Sequence, residues 1–144
     1  MRSIVVPIAT VRDTAWAVGR ILEEYRSEPV DVHLLNVRRP LPRHVSQFFK
    51  KSGGLDDVYQ QSGMEVLQPA IRALDAAGIP HRDHVRVGQM AKTIVAFAKQ
   101  HQCEVVLDSK TDGGLSVFGL GSIATQVQRL MHANNGSTRP SNAT

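Results

Sequence analysis

Residues 105–131 read VVLDSKTDGGLSVFGLGSIATQVQRLM. A short apolar run leads into a glycine-rich loop, and Gly121-Ser122 then opens an amphipathic helix. An α/β fold builds a phosphate cradle in this order. The N–H groups of a glycine loop and of a helix N-terminus converge on one anion, and the helix dipole favours negative charge there. Two residues disturb the cradle. Asp108 and Thr111 stand where close backbone approach to an anion favours glycine.

Outward from that stretch, apolar runs at strand length alternate with segments of helical period. Ser3–Ile8 (SIVVPI) is a β-branched run whose Pro7 suits a place where ladder pairing stops. Asp13 is the expected N-cap of a helix carrying Val18, Ile21, Leu22 and Tyr25 on one face. Val30–Val37 (VDVHLLNV) reads as the second strand. Pro40 and Pro42 open an irregular basic segment expected to run to about Gly63. A helix is expected over about Met64–Ala77, stopped by Gly78. Arg82–Val87 is the third strand, about Ala91–Gln102 the next helix, and Glu104–Leu107 the fourth strand. The final helix is expected from Ser122 to about His132.

This alternation predicts an α/β fold, with an open and mostly parallel sheet of about four strands and helices on both faces. Ligands in such sheets sit beyond the carboxyl ends of the strands, where strand order reverses. The loops after Ile8 and after Leu107 are then the expected walls of a site. Residues 1–132 read as one domain and 133–144 (ANNGSTRPSNAT) as a polar, disordered tail.

Composition narrows the function classes. The chain has 144 residues, 42% hydrophobic and 21% charged, which suits a globular domain rather than a disordered chain. No apolar run is long enough to cross a bilayer, and the first residues do not read as a secretory signal. Cys103 is the lone cysteine, so no internal disulfide forms and the cytoplasm is the expected compartment. It reads as a small core hydrophobe rather than a reactive thiol. Part of the net charge of +4 lies in Arg38, Arg39, Arg43, Lys50 and Lys51, in a stretch with no acid. An RNA-binding signature, a recognition-helix motif and zinc spacing are all missing beside it. A membrane partner is not expected, and nucleic acid is disfavoured. His81 and His84 come nearest to a metal-ligand pair among six histidines, and no metal is expected. A Walker loop, a nucleophile elbow and paired carboxylates for acid–base work are likewise missing.

From Arg2 to about His132 the chain resembles the universal stress protein family. SIVVPI is similar to that family's opening strand, VDVHLLNVRRP to its second strand, and VGQMAKTIVAFAKQHQCEVVLDSK to its run into the fourth. The resemblance implies an adenine-nucleotide α-hydrolase-like, Rossmann-like fold. In ATP-binding members the fourth strand leads into a loop of Gly, two residues, Gly, nine residues, Gly, then Ser or Thr. At that spacing this chain has Asp108, Thr111, Gly121 and Ser122. Relatives that bind ATP carry an aspartate just after the opening strand, where this chain has Ala9. The family's usual fifth strand, often its dimer strand, has no counterpart in the polar C-terminus.

The implied site comprises Ile8, Ala9 and Thr10, Val37 at the adenine, and Asp108, Lys110, Thr111, Gly121 and Ser122 at the phosphates. A carboxylate at Asp108 about 4 Å from a phosphate costs roughly 4 kcal/mol per charge pair at an effective dielectric near 20. That cost is about three decades of affinity. Ser122 reads first as a helix cap, which it can be with or without a ligand, and second as a phosphate contact. The expectation is a non-catalytic stress-response or regulatory protein without tight ATP binding, with a protein partner or a second copy of itself. The alternative is a switch driven by ATP or another adenine nucleotide.

Overall fold

A computed structural model of the chain describes residues 1–49, 54–108 and 123–143, with side chains to residue 133. The β-branched run near the N-terminus forms β1 (Ser3–Pro7), and its three central residues are buried. Strand β2 (Asp31–Arg38) lies on one side of it, followed outward by β3 (Arg82–Val87), while β4 (Glu104–Val105) lies on the other side. All pairings are parallel, with Val5 opposite both His33 and Val105. Helix α1 (Thr14–Ser27) connects β1 to β2, and α2 (Arg43–Ser46) and α3 (Gly54–Ala76) precede β3. Helix α4 (Met90–His101) leads to β4, and α5 (Ile123–Ala143) ends the described chain.

Alternation along the central strands splits the core in two. Ile4, Val6 and Ile8 share one face with Val32 and Leu34, packed against Ala17 and Ile21 of α1 and Leu67, Ala70 and Leu74 of α3. Val5, Leu35 and Val37 face the other way, onto Ile94, Val95, Phe97 and Ala98 of α4 and Val127 of α5. Burial of each such aliphatic side chain contributes about 1.5–3 kcal/mol. Arg2 ties the lower edge together by pairing with Glu24 of α1, with Glu28 just after that helix and, at 2.7 Å, with Glu104 of β4. Cys103 is buried and free, as its reading as a core residue expects. Burial pushes its thiol pKa up, helped by the negative charge of Asp31.

Handedness explains the layers. Parallel crossovers are right-handed in nearly all proteins. The steps β1 to β2 and β2 to β3 move in one direction, so α1 and α3 cover the same face. The step β3 to β4 moves back across β1, and α4 falls on the opposite face. The reversal lies between β1 and β4.

The four strands and both faces of helices agree with the sequence reading, and three local expectations need refinement or correction. Asp13 stands at the N-cap of α1, as expected, but its side chain makes no capping bond to that helix. Thr10 caps a 3-10 turn over Val11–Asp13, and Asp13 is the third residue of its capping box. The basic segment does not stay irregular to Gly63, since α2, a 3-10 turn over Gln47–Phe49 and the first ten residues of α3 occupy it. The backbone of α5 continues past His132 to Ala143, so most of the expected tail is helical.

Gly63 explains why the start of α3 escapes a pattern of apolar spacing. It lies buried in the inward stripe of the helix, where it contributes no apolar side chain to the pattern. A Cβ there would meet Val85 at 2.5 Å and Asn36 Oδ1 at 3.1 Å, so only glycine lets α3 sit this close to the sheet. Gly63→Ala is therefore expected to destabilise the protein by about 1–3 kcal/mol through overpacking. Gly19, also helical, has nothing within 4 Å of its Cβ position. Gly19→Ala should stabilise by about 0.5–1 kcal/mol. Urea unfolding midpoints test the pair, and equal shifts for both variants would refute the close-packing account.

Candidate functional site

The reversal of strand order makes the carboxyl ends of β1 and β4 the place where an open α/β sheet leaves a crevice. The β1 wall is built rigidly. Ile8 N–H donates to Leu35 O at 2.9 Å, and the fully buried Asn36 donates from Nδ2 to Ile8 O at 2.8 Å. A buried polar side chain thus fixes where the chain leaves β1. Ala9 and Thr10 follow, both exposed.

Their backbone donors are already used. Asp13 Oδ2 accepts from Ala9 N–H at 2.9 Å and from Thr10 N–H at 3.0 Å, while Thr10 Oγ1 accepts from Arg12 N–H at 3.2 Å. Charge-assisted bonds of this kind are stronger than neutral ones. The two donors at the mouth of the crevice therefore face a carboxylate belonging to the chain itself. The Thr10-x-x-Asp13 spacing was a legible capping-box signal. The sequence reading took Asp13 only as the N-cap of α1 and so missed its bonds back to the loop.

The remaining expected site residues divide into two groups. Val37 is buried and packs on the α4–α5 side of the sheet. Asp108 is half-buried at the end of the β4 wall, just after buried Val106, whose N–H donates to Val5 O at 3.0 Å. Lys110, Thr111, Gly121 and Ser122 lie outside the described residues. Ile8, Ala9 and Thr10 thus lie together at the end of β1 and Asp108 just beyond β4, and the rest of the implied phosphate half lies outside the described residues.

Titratable groups concentrate elsewhere, along the β2–β3 pair and α4. His33, almost fully buried, places Nε2 3.1 Å from Asp31 Oδ2 and Nδ1 3.0 Å from His84 Nε2. A carboxylate only accepts, so His33 Nε2–H donates to Asp31, and of the facing nitrogens His33 Nδ1 and His84 Nε2 one donates to the other. His84 also packs edge-on against Phe97, with ring centroids 4.7 Å apart, and beside His101. Burial, followed by the charges of His33, Arg86 and His101, lowers its pKa to about 4 against the opposing pull of Asp83. His81 has the contrary setting. Its Nδ1 lies 2.7 Å from Asp83 and its Nε2 2.8 Å from Asp75. Burial lowers its pKa, but the hydrogen bonds and charges of the two carboxylates outweigh that and raise it. Asp31 is likewise pushed up by burial, yet held below the usual carboxylate range by His33, Arg82 and Ser3. Among the described residues, no group of three His, Cys, Asp or Glu is arranged to hold a metal ion.

Comparison with known proteins identifies the class. The universal stress protein family model matches residues 1–134, and the chain belongs to that family. Solved structures share the fold at low identity. A universal stress protein in complex with cAMP has 15% identity and a TM-score of 0.54, covering 89% of this chain and 88% of that one. An Arabidopsis thaliana universal stress protein family protein with AMP bound also has 15% identity, with a TM-score of 0.54 and coverage of 82% and 83%. A hypothetical protein solved as a structural-genomics test case has 18% identity, a TM-score of 0.61 and 88% coverage of each chain. No curated protein matches the sequence.

The two histidine settings predict opposite pH limbs. An unfolded histidine takes its proton near pH 6.5, while folded His84 stays neutral to about 4. The unfolded state then binds more protons between those values, so the His84 contribution is lost as pH falls from about 6.5 to 4. His81 is raised, so its contribution is complete below about 6.5 and is lost as pH rises through its folded value. Urea midpoints measured across this range should lose much of the acid limb in His84→Gln and flatten on the alkaline side in His81→Gln. Unchanged limbs in the two variants would contradict these assignments.

Proposed function

We propose that this chain is a non-catalytic stress-response or regulatory member of its family that does not hold ATP tightly. The capture of Ala9 N–H and Thr10 N–H by Asp13 carries this reading. An anion entering the crevice from the β1 side meets amides already bonded to a carboxylate, and that carboxylate repels it. Ala9 offers no polar side chain in compensation. Asp108 brings a second carboxylate to the opposite wall, with a cost of roughly 4 kcal/mol for a phosphate about 4 Å away at an effective dielectric near 20. On this reading the protein works in the cytoplasm through contact with another protein or a second copy of itself.

The second reading is an adenine-nucleotide switch, favoured by two proteins of the same fold solved with cAMP and with AMP. It would hold a nucleotide with Ile8, Ala9, Thr10 and Val37 on one side and Asp108, Lys110, Thr111, Gly121 and Ser122 on the other.

Isothermal titration with ATP, AMP and cAMP separates the readings. The natural sequence is expected to bind each no tighter than about 1 mM, or roughly −4 kcal/mol. The double variant Asp108→Gly/Thr111→Gly should gain at least about tenfold, equivalent to about 1.4 kcal/mol. Micromolar or tighter binding by the natural sequence, with little change in the double variant, would establish the switch instead.

A further inference from the structure

Where β2 ends, the chain leaves the sheet as a short, stiffened protrusion. Pro40 and Pro42 restrict its backbone, and the N–H groups of Val45 and Ser46 both donate to Pro42 O at 2.9 Å. Leu41 N–H donates to the hydroxyl of Tyr59 at 2.7 Å, which moors the protrusion to α3. Val45, Ser46 and Phe49 are half-buried, while Arg43, His44, Gln47 and Phe48 are exposed. Phe48 is 85% exposed, far more than the aliphatic residues Val11, Leu22 or Val87. A lone exposed apolar side chain is ordinary. This one stands on a fixed turn close in sequence to three arginines.

Arg38, Arg39 and Arg43 precede it, and none has an ion-pair partner among the described residues. No acidic residue occurs between Asp31 and Asp56. Arg38 also stands beside the exposed Val87 in the β2–β3 register. We infer that the protrusion over residues 38–48 is a docking surface for an acidic protein segment, with Phe48 as its apolar anchor.

The chemistry favours a protein over other anions. Planar guanidinium forks match carboxylates two-pronged, and protein interfaces are enriched in arginine and aromatic residues. An aromatic anchor ringed by weaker contacts is the usual form of an energetic hot spot. A single-stranded nucleic acid is held by a groove with successive aromatic platforms, whereas this protrusion displays one exposed aromatic ring. The two prolines and the mooring bond keep the surface organised before binding, which lowers the ordering cost.

The test uses the full chain and three probes: a labelled peptide of glutamate pairs alternating with leucine, polyuridylate, and vesicles rich in phosphatidylserine. The peptide is expected to bind most tightly. Phe48→Ala and Arg39→Glu/Arg43→Glu should each weaken it at least about tenfold, leaving circular dichroism and the thermal midpoint unchanged. Absent peptide binding, or binding indifferent to Phe48→Ala, would overturn the inference. Tighter binding to polyuridylate or to vesicles would overturn it in favour of those partners.

Discussion

Handedness governs what this molecule can present to a ligand. Three parallel strands laid down in one direction place their connecting helices on one face of the sheet. The fourth strand is reached by moving back across β1, so α4 must lie on the other face. A crevice between the carboxyl ends of β1 and β4 follows from that single reversal. Parallel sheets covered on both faces need strands that are apolar throughout, and β1 and β2 meet the requirement with few polar exceptions. His33 and Asn36 are those exceptions, and both are hydrogen-bonded.

Asn36 connects the core to the crevice. Its amide fixes the carbonyl of Ile8 from within the sheet, and the loop that follows begins from a pinned point. The capping box of Thr10 and Asp13 then consumes the first free donors of that loop. Starting α1 and receiving an anion at the same amides are competing demands. Here the start of the helix takes them. This competition supports a reading of the chain as a stress protein that keeps the fold and acts without a tightly held nucleotide.

The sheet was legible in the sequence because its strands are short β-branched or alternating runs separated by clear turn residues. The start of α3 was not, because Gly63 removes an apolar residue from the buried stripe where close approach to Val85 demands it. The end of α5 was missed for a related reason. After Met131 the sequence carries no apolar stripe, yet the backbone stays helical to Ala143. At the end of β1, the position of Ile8, Ala9 and Thr10 was legible, but the use of their amides was not. That use depends on a carboxylate three residues beyond Thr10 folding back onto the loop. A pattern search finds such a spacing, while its cost to a ligand emerges only from the geometry.

The central proposal is that the chain's own carboxylates, Asp13 foremost, disfavour a nucleotide at the end of β1. Native mass spectrometry of the full chain as purified, without added nucleotide, tests it most directly. The account predicts the mass of the polypeptide alone or of its multiples. A stoichiometric mass increment equal to an adenine nucleotide, retained through purification, would contradict it.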